Sequence, residues 1–144
     1  MKRVLIVDDQ SLIRNVLRLI LEQQGYECLE AENGQQAWEW LFEPLTIDLI
    51  VTDNHMPVMS GLQLIKKIKS INNLKHLPIV LFSGALTEAL QREAQENGAN
   101  AVLAKPLNFP DLVQVVSQIV CQDRDGVERK ERRDSMPARY CGIH

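Results

Sequence analysis

Five short strand-like runs recur along the chain, at residues 3–7, 26–31, 48–53, 78–83 and 100–104, and each is followed by apolar residues at helical spacing. After the first run, Leu12, Ile13, Val16, Leu17, Ile20 and Leu21 mark one face of a helix, with Ser11 placed to cap it and Gly25 to end it. Asn33-Gly34 turns into a second helix carrying Ala37, Trp38, Leu41 and Phe42 and ended by Pro44. Leu62, Leu64, Ile65 and Ile68 mark a third. Residues 87–97 read as a weakly apolar fourth, with Ala89, Leu90 and Ala94 inward and Gly98 as its stop. Asn108 caps a fifth, with Pro110 in its first turn and Leu112, Val113, Val116, Ile119 and Val120 inside.

Strict alternation of strand and helix implies right-handed crossovers and a parallel sheet covered on both faces. The run Leu49-Ile50-Val51 is apolar without alternation, as strands buried on both faces are. The expected fold is α/β: a five-stranded, doubly wound parallel sheet of flavodoxin-like order 2-1-3-4-5 with five helices. One domain over residues 1–121 accounts for all of this. Residues 122–144 are expected to form a charged tail, mostly disordered or helical only with a partner. That tail holds six basic and five acidic residues, a net charge of +1, and too few apolar ones to build a core.

In open parallel sheets the chemistry lies beyond the carboxyl ends of the strands. Here the first strand ends in Asp8-Asp9, the third in Asp53, the fourth in Ser83-Gly84 and the fifth in Lys105-Pro106. An Asp at a strand end is by itself an ordinary turn residue. In the expected order, however, these four strands are neighbours and the groups converge. Three carboxylates together repel unless a cation joins them, and oxygen ligands suit a hard ion such as Mg2+. Lys105 adds a charge able to pair with phosphate, and Ser83 a hydroxyl donor. A carboxylate nucleophile, a metal, a lysine and a hydroxyl make a phosphoryl-transfer site.

With those residues in hand, the sequence resembles the receiver domain of bacterial two-component response regulators. The resemblance rests on I-V-D-D-Q around Asp8-Asp9, on D-x-x-M-P-x-M-x-G from Asp53 to Gly61, on the Ser83 hydroxyl and on Lys105-Pro106, and it spans residues 2–121. It implies that Asp53 is the phosphoacceptor. It implies that Asp9, Asp53 and the backbone carbonyl of His55 bind Mg2+, with Asp8 helping through water. Lys105 would hold a phosphoryl oxygen, Ser83 would move to bond another, and the Lys105-Pro106 bond would be cis. The phosphate would come from a sensor histidine kinase or a histidine phosphotransfer protein in the cytoplasm, and an unnamed downstream protein would read the result. The chain is expected to be a stand-alone phosphoacceptor signalling domain, not an enzyme acting on other substrates. One departure stands out: the aromatic switch residue common three positions before the lysine is replaced by Val102.

Two alternatives share these residues. A pseudo-receiver would bind partners without taking phosphate, but its usual sign is loss of an acidic residue or of the lysine. A Mg2+-dependent phosphohydrolase of the haloacid-dehalogenase type places a second Asp two residues after its nucleophile, where His55 stands here. Other features exclude broader classes. A net charge of -3 argues against direct nucleic-acid binding, and no apolar run is long enough for membrane insertion. Cys28, Cys121 and Cys141 show no C-x-x-C spacing and are expected to be buried or idle thiols. Trp38 and Phe42 are expected in the core beside Leu41. Trp40 is expected off that face and partly exposed, as single apolar side chains often are, and Lys66, Lys67 and Lys69 on a solvated helix face.

Overall fold

The computed structural model describes residues 1–124. It contains β1 (Arg3–Val7), α1 (Ser11–Gln23), β2 (Glu27–Ala31), α2 (Gly34–Trp40) and β3 (Leu49–Asp53). These are followed by α3 (Gly61–Lys69), β4 (Ile79–Ser83), α4 (Glu88–Glu96), β5 (Ala101–Ala104) and α5 (Phe109–Arg124). The strands form one parallel sheet in the order β2-β1-β3-β4-β5, as the alternation predicts. The expected tail lies, from residue 125 on, outside the described residues.

Side-chain alternation divides the core in two. Val4, Ile6, Leu49, Val51, Val80 and Phe82 face Leu17 and Leu21 of α1 and Leu112, Val116 and Val120 of α5. Leu5, Val7, Ile50, Ile79 and Leu81 face Ala37 of α2, Leu64, Ile65 and Ile68 of α3, and Ala94 of α4. β3 and β4 are buried along their whole length, which is why they read as unbroken apolar runs.

Helix ends follow local chemistry. Asn33, Thr87 and Asn108 accept from Gln36, Leu90 and Asp111, and Ser60 forms a reciprocal capping box with Gln63. Ser11 does not cap α1; it is the first helical residue, and the capping position holds Gln10, which makes no side-chain cap bond.

Three further expectations, those for Phe42, Ala89 and Lys69, are corrected. Phe42 lies past the end of α2 and is 63% exposed, its ring meeting Trp38 edge-on at 5.0 Å; the helix stops at Trp40, so helical spacing no longer applies. Trp40 keeps the partial exposure expected of it, and its Nε1 donates to the Glu30 carbonyl at 3.0 Å. Ala89 is exposed, so α4 buries Ala94 alone. Of the three lysines, Lys69 turns back, and its Nζ donates to the carbonyls of Lys75 and Leu77 at 2.9 and 2.7 Å. Among the cysteines, Cys28 is a buried free thiol, which desolvation pushes up to about 11, Cys121 is buried, and Cys141 lies outside the described residues.

Candidate functional site

Register places the site. Val7 pairs with Thr52, Asp53 with Phe82 and Ser83 with Ala104. One residue beyond Val7 and Ala104 come Asp8 and Lys105, so Asp8, Asp53 and Lys105 meet at one sheet edge. Asp8 continues the face of Ile6, Asp53 that of Val51, and Lys105 that of Leu103. Ser83 follows Leu81 on the opposite face, the face of Val102.

The three acidic groups predicted from sequence come together. Oxygens of Asp8, Asp9 and Asp53 all lie within 4.8 Å of one another. Asp8 and Asp53 are buried and Asp9 is exposed, so the cluster has one open side. Lys105 Nζ stands 3.7 Å from Asp8 Oδ2 and 3.5 Å from Asp53 Oδ1. It also lies 5.2 Å from the centre of the buried Phe82 ring. At these separations the ammonium attracts both carboxylates without closing a short hydrogen bond to either. Burial pushes the carboxyls of Asp8 and Asp53 above their ordinary range, and Lys105 opposes the rise in both. Asp8 is pushed further by the Asp53 charge.

Asp8 Oδ1 accepts from the Gln10 amide at 2.8 Å, but Asp8 Oδ2 and Asp53 Oδ1 are buried without a hydrogen-bond partner. Orphaned buried acceptors are costly, and in a native protein they point to an ion or water. A hard divalent cation fits this donor set: all-oxygen, clustered and anionic.

The β3–α3 loop is held down hard. Asn54 donates its amide to the Phe82 carbonyl at 2.9 Å, and its Oδ1 accepts from Leu62 at 3.0 Å. The Gly61 amide donates to the Asn54 carbonyl at 3.0 Å. A Cβ at Gly61 would stand 2.5 Å from the Asp53 carbonyl oxygen, so only glycine lets α3 start this close to Asp53. His55 and Asp9 line an open cleft of about 530 Å³ with Asn54, Met56, Pro57 and Ser60. Ser83 Oγ accepts from the Ala85 amide at 3.1 Å, and the Ser83 carbonyl accepts from the Lys105 amide at 2.9 Å. The Lys105-Pro106 bond is cis, as the resemblance implies.

Sequence reading missed Arg14, whose Nη1 donates to the Asp8 main-chain carbonyl at 2.7 Å. Its place on α1, six residues after Asp8, was the signal available. It also missed an apolar groove of about 770 Å³ beside Lys105, lined by residues that include Leu12, Ile13, Val16, Pro106, Leu107 and Phe109.

Comparison with known proteins agrees with this geometry. Residues 4–117 match the family described as response regulator receiver domain. The chain is 34% identical over 124 residues to the chemotaxis protein CheY1 of Helicobacter pylori, covering 85% of this chain and 99% of that one. A receiver domain protein from Clostridium thermocellum superposes with a TM-score of 0.79 at 26% identity, over 86% of this chain and 98% of that one. The response regulator TrrA from Thermotoga maritima, solved in complex with Mg2+ and a beryllium fluoride, gives 0.73 at 32% identity, over 83% and 99%.

Proposed function

The chain belongs to the response regulator receiver family, and we propose that Asp53 is the residue on which it accepts a phosphoryl group. The observation that carries this reading is the pair of buried, unsatisfied carboxylate oxygens on Asp8 and Asp53, with Asp9 and Lys105 around them. An oxygen of Asp53 attacks phosphorus as the bond to the donor breaks, and an acyl phosphate forms. Asp9, Asp53 and the backbone carbonyl of His55 would hold Mg2+, with Asp8 assisting through water. When bound, the ion would offset the negative charge that gathers around the phosphoryl oxygens. Lys105 exchanges its two carboxylate neighbours for a phosphoryl oxygen, and Ser83 turns from Ala85 to donate to another.

A sensor histidine kinase or a histidine phosphotransfer protein, in the cytoplasm, supplies the group. Its phosphohistidine must reach the open side of the cluster, so its surface must rest on the rim. The apolar groove beside Lys105, with Leu12 exposed along it, suits such a contact. The chain then acts on no substrate beyond its own phosphoryl group, and a downstream protein reads the changed surface. Incubation with acetyl phosphate and Mg2+ is expected to add one phosphate by intact mass, and Asp53→Asn to abolish it. Full incorporation in that variant would overturn the assignment.

A further inference from the structure

We propose that Arg14 is a positioning residue for the metal site: from α1 it grips the main chain of the Asp8-Asp9 turn, while Glu30 cancels its charge. The inference rests on the reading of the acidic cluster as a Mg2+ site.

The turn needs such a grip because the sheet no longer supplies one. β1 pairs with β2 only as far as Val7 and Ala31. The Asp8 amide still reaches the Ala31 carbonyl, at 3.1 Å, but the Asp8 carbonyl lies past the end of the ladder. A main-chain acceptor there must find another partner. Arg14 provides it, with Nη1 at 2.7 Å. The Arg14 amide also donates to the Gln10 carbonyl at 3.2 Å, while Asp8 Oδ1 accepts from the Gln10 amide at 2.8 Å. One arginine therefore holds the carbonyls of Asp8 and Gln10, and the Asp8 side chain ties the two residues to each other. That leaves Asp8 Oδ2 without a hydrogen-bond partner, in the cluster with Asp9 and Asp53.

A guanidinium so near the cluster would also repel an incoming cation. Glu30 removes that penalty. Its Oε1 accepts from Arg14 Nε at 2.9 Å, and its Oε2 pairs with Arg18, which pairs in turn with Glu22. The four charges sum to zero. The Glu30 carbonyl is held by Trp40 Nε1 at 3.0 Å, so the clamp is anchored in α1, β2 and α2. Arg18 shares Glu30, but its guanidinium bonds go to Glu22 and Glu30 and not to the Asp8 main chain, which separates site positioning from simple docking of α1 on the sheet.

Mg2+ titration of the full chain, followed by calorimetry and by amide NMR shifts, tests this. Arg14→Met is expected to weaken Mg2+ binding by about tenfold, the order found for groups that orient metal ligands. Arg18→Met is expected to bind as wild type does. Glu30→Gln leaves Arg14 charged and uncompensated, so its loss of affinity should be larger at low than at high ionic strength. Wild-type affinity in Arg14→Met, or an equal loss in Arg18→Met, overturns the inference. Should Arg14→Met fail to fold, Arg14→Lys decides: lysine lacks the planar fork that serves Asp8 and Glu30 together, and wild-type affinity there overturns it equally. Failure of the wild-type chain to bind Mg2+ overturns the metal site itself, and this inference with it.

Discussion

Two buried aspartates set the character of this molecule. Asp8 and Asp53 are charged groups placed where burial opposes charge, and each leaves one oxygen unsatisfied. Without a cation that arrangement costs stability. Asp8→Asn is therefore expected to raise the stability of the metal-free chain at neutral pH by about 1–2 kcal/mol, the scale of an uncompensated buried polar group. The same variant should respond less to Mg2+, and thermal melts with and without the ion check both. The pH dependence has a definite sign. Both carboxyls titrate above their ordinary range in the folded chain, so folding binds protons. The stability they contribute is complete below the ordinary carboxyl range and is lost as pH rises through the folded values. Val102 belongs to this scale too. It sits on the face of Ser83, paired with Leu81, and it has no ring to swing behind the serine and is stiff at its first torsion.

Among the elements, α4 is the one suited to move. It buries only Ala94, while α3 buries Leu64, Ile65 and Ile68. Its C-terminal half is tied to α3 by Lys66 and Glu93 at 2.9 Å, and Gly98 rests against the Lys69 side chain. Its N-terminal half is joined to the site through the Ser83–Ala85 turn. A small pull on Ser83 can therefore shift the start of α4 at little cost. With Mg2+ and a beryllium fluoride phosphate mimic, amide NMR shifts are expected to cluster at residues 83–98, with β5 nearly still, and to collapse in Ser83→Ala. An unchanged pattern in that variant, or changes centred on α1, would refute this route. The start of α3 has no such freedom. Its capping box and the close approach of Gly61 to Asp53 keep Asp53 fixed while the other side of the site is free to shift.

At the scale of the whole molecule, both cores and the acidic cluster are built from residues up to Cys121 among those described. A chain ending at Gln122 is expected to fold and to accept phosphate from acetyl phosphate at the full-length rate. Circular dichroism and phosphate incorporation check this, and failure of either would show that the domain depends on residues 123–144. The apolar groove between α1 and the β5–α5 connection opens beside Lys105. Leu12→Asp is expected to slow phosphotransfer from a histidine kinase by about tenfold, the loss of one good apolar contact at an interface. Phosphorylation by acetyl phosphate, which needs no docking surface, should be unchanged.

Sequence alone determined the element order, the sheet order and the four strand-end groups. Periodicity reports burial directly, and a parallel sheet with short crossovers leaves few ways to connect such strands. Asp8, Asp9, Asp53, Ser83 and Lys105 were legible because chemistry in this architecture is confined to one edge. What lay off that edge was not. Phe42 follows Trp38 at helical spacing, yet α2 ends at Trp40 and the ring is exposed; a pattern does not announce where hydrogen bonding stops. Trp40 and Lys69 carry long side chains whose polar ends reach carbonyls several residues away along the chain. Such bonds exist only once the fold has placed both partners. The same holds for Arg14 and Glu30, ordinary surface charges in the sequence. Only tertiary structure decided that one holds the main chain of Asp8 and the other cancels its charge.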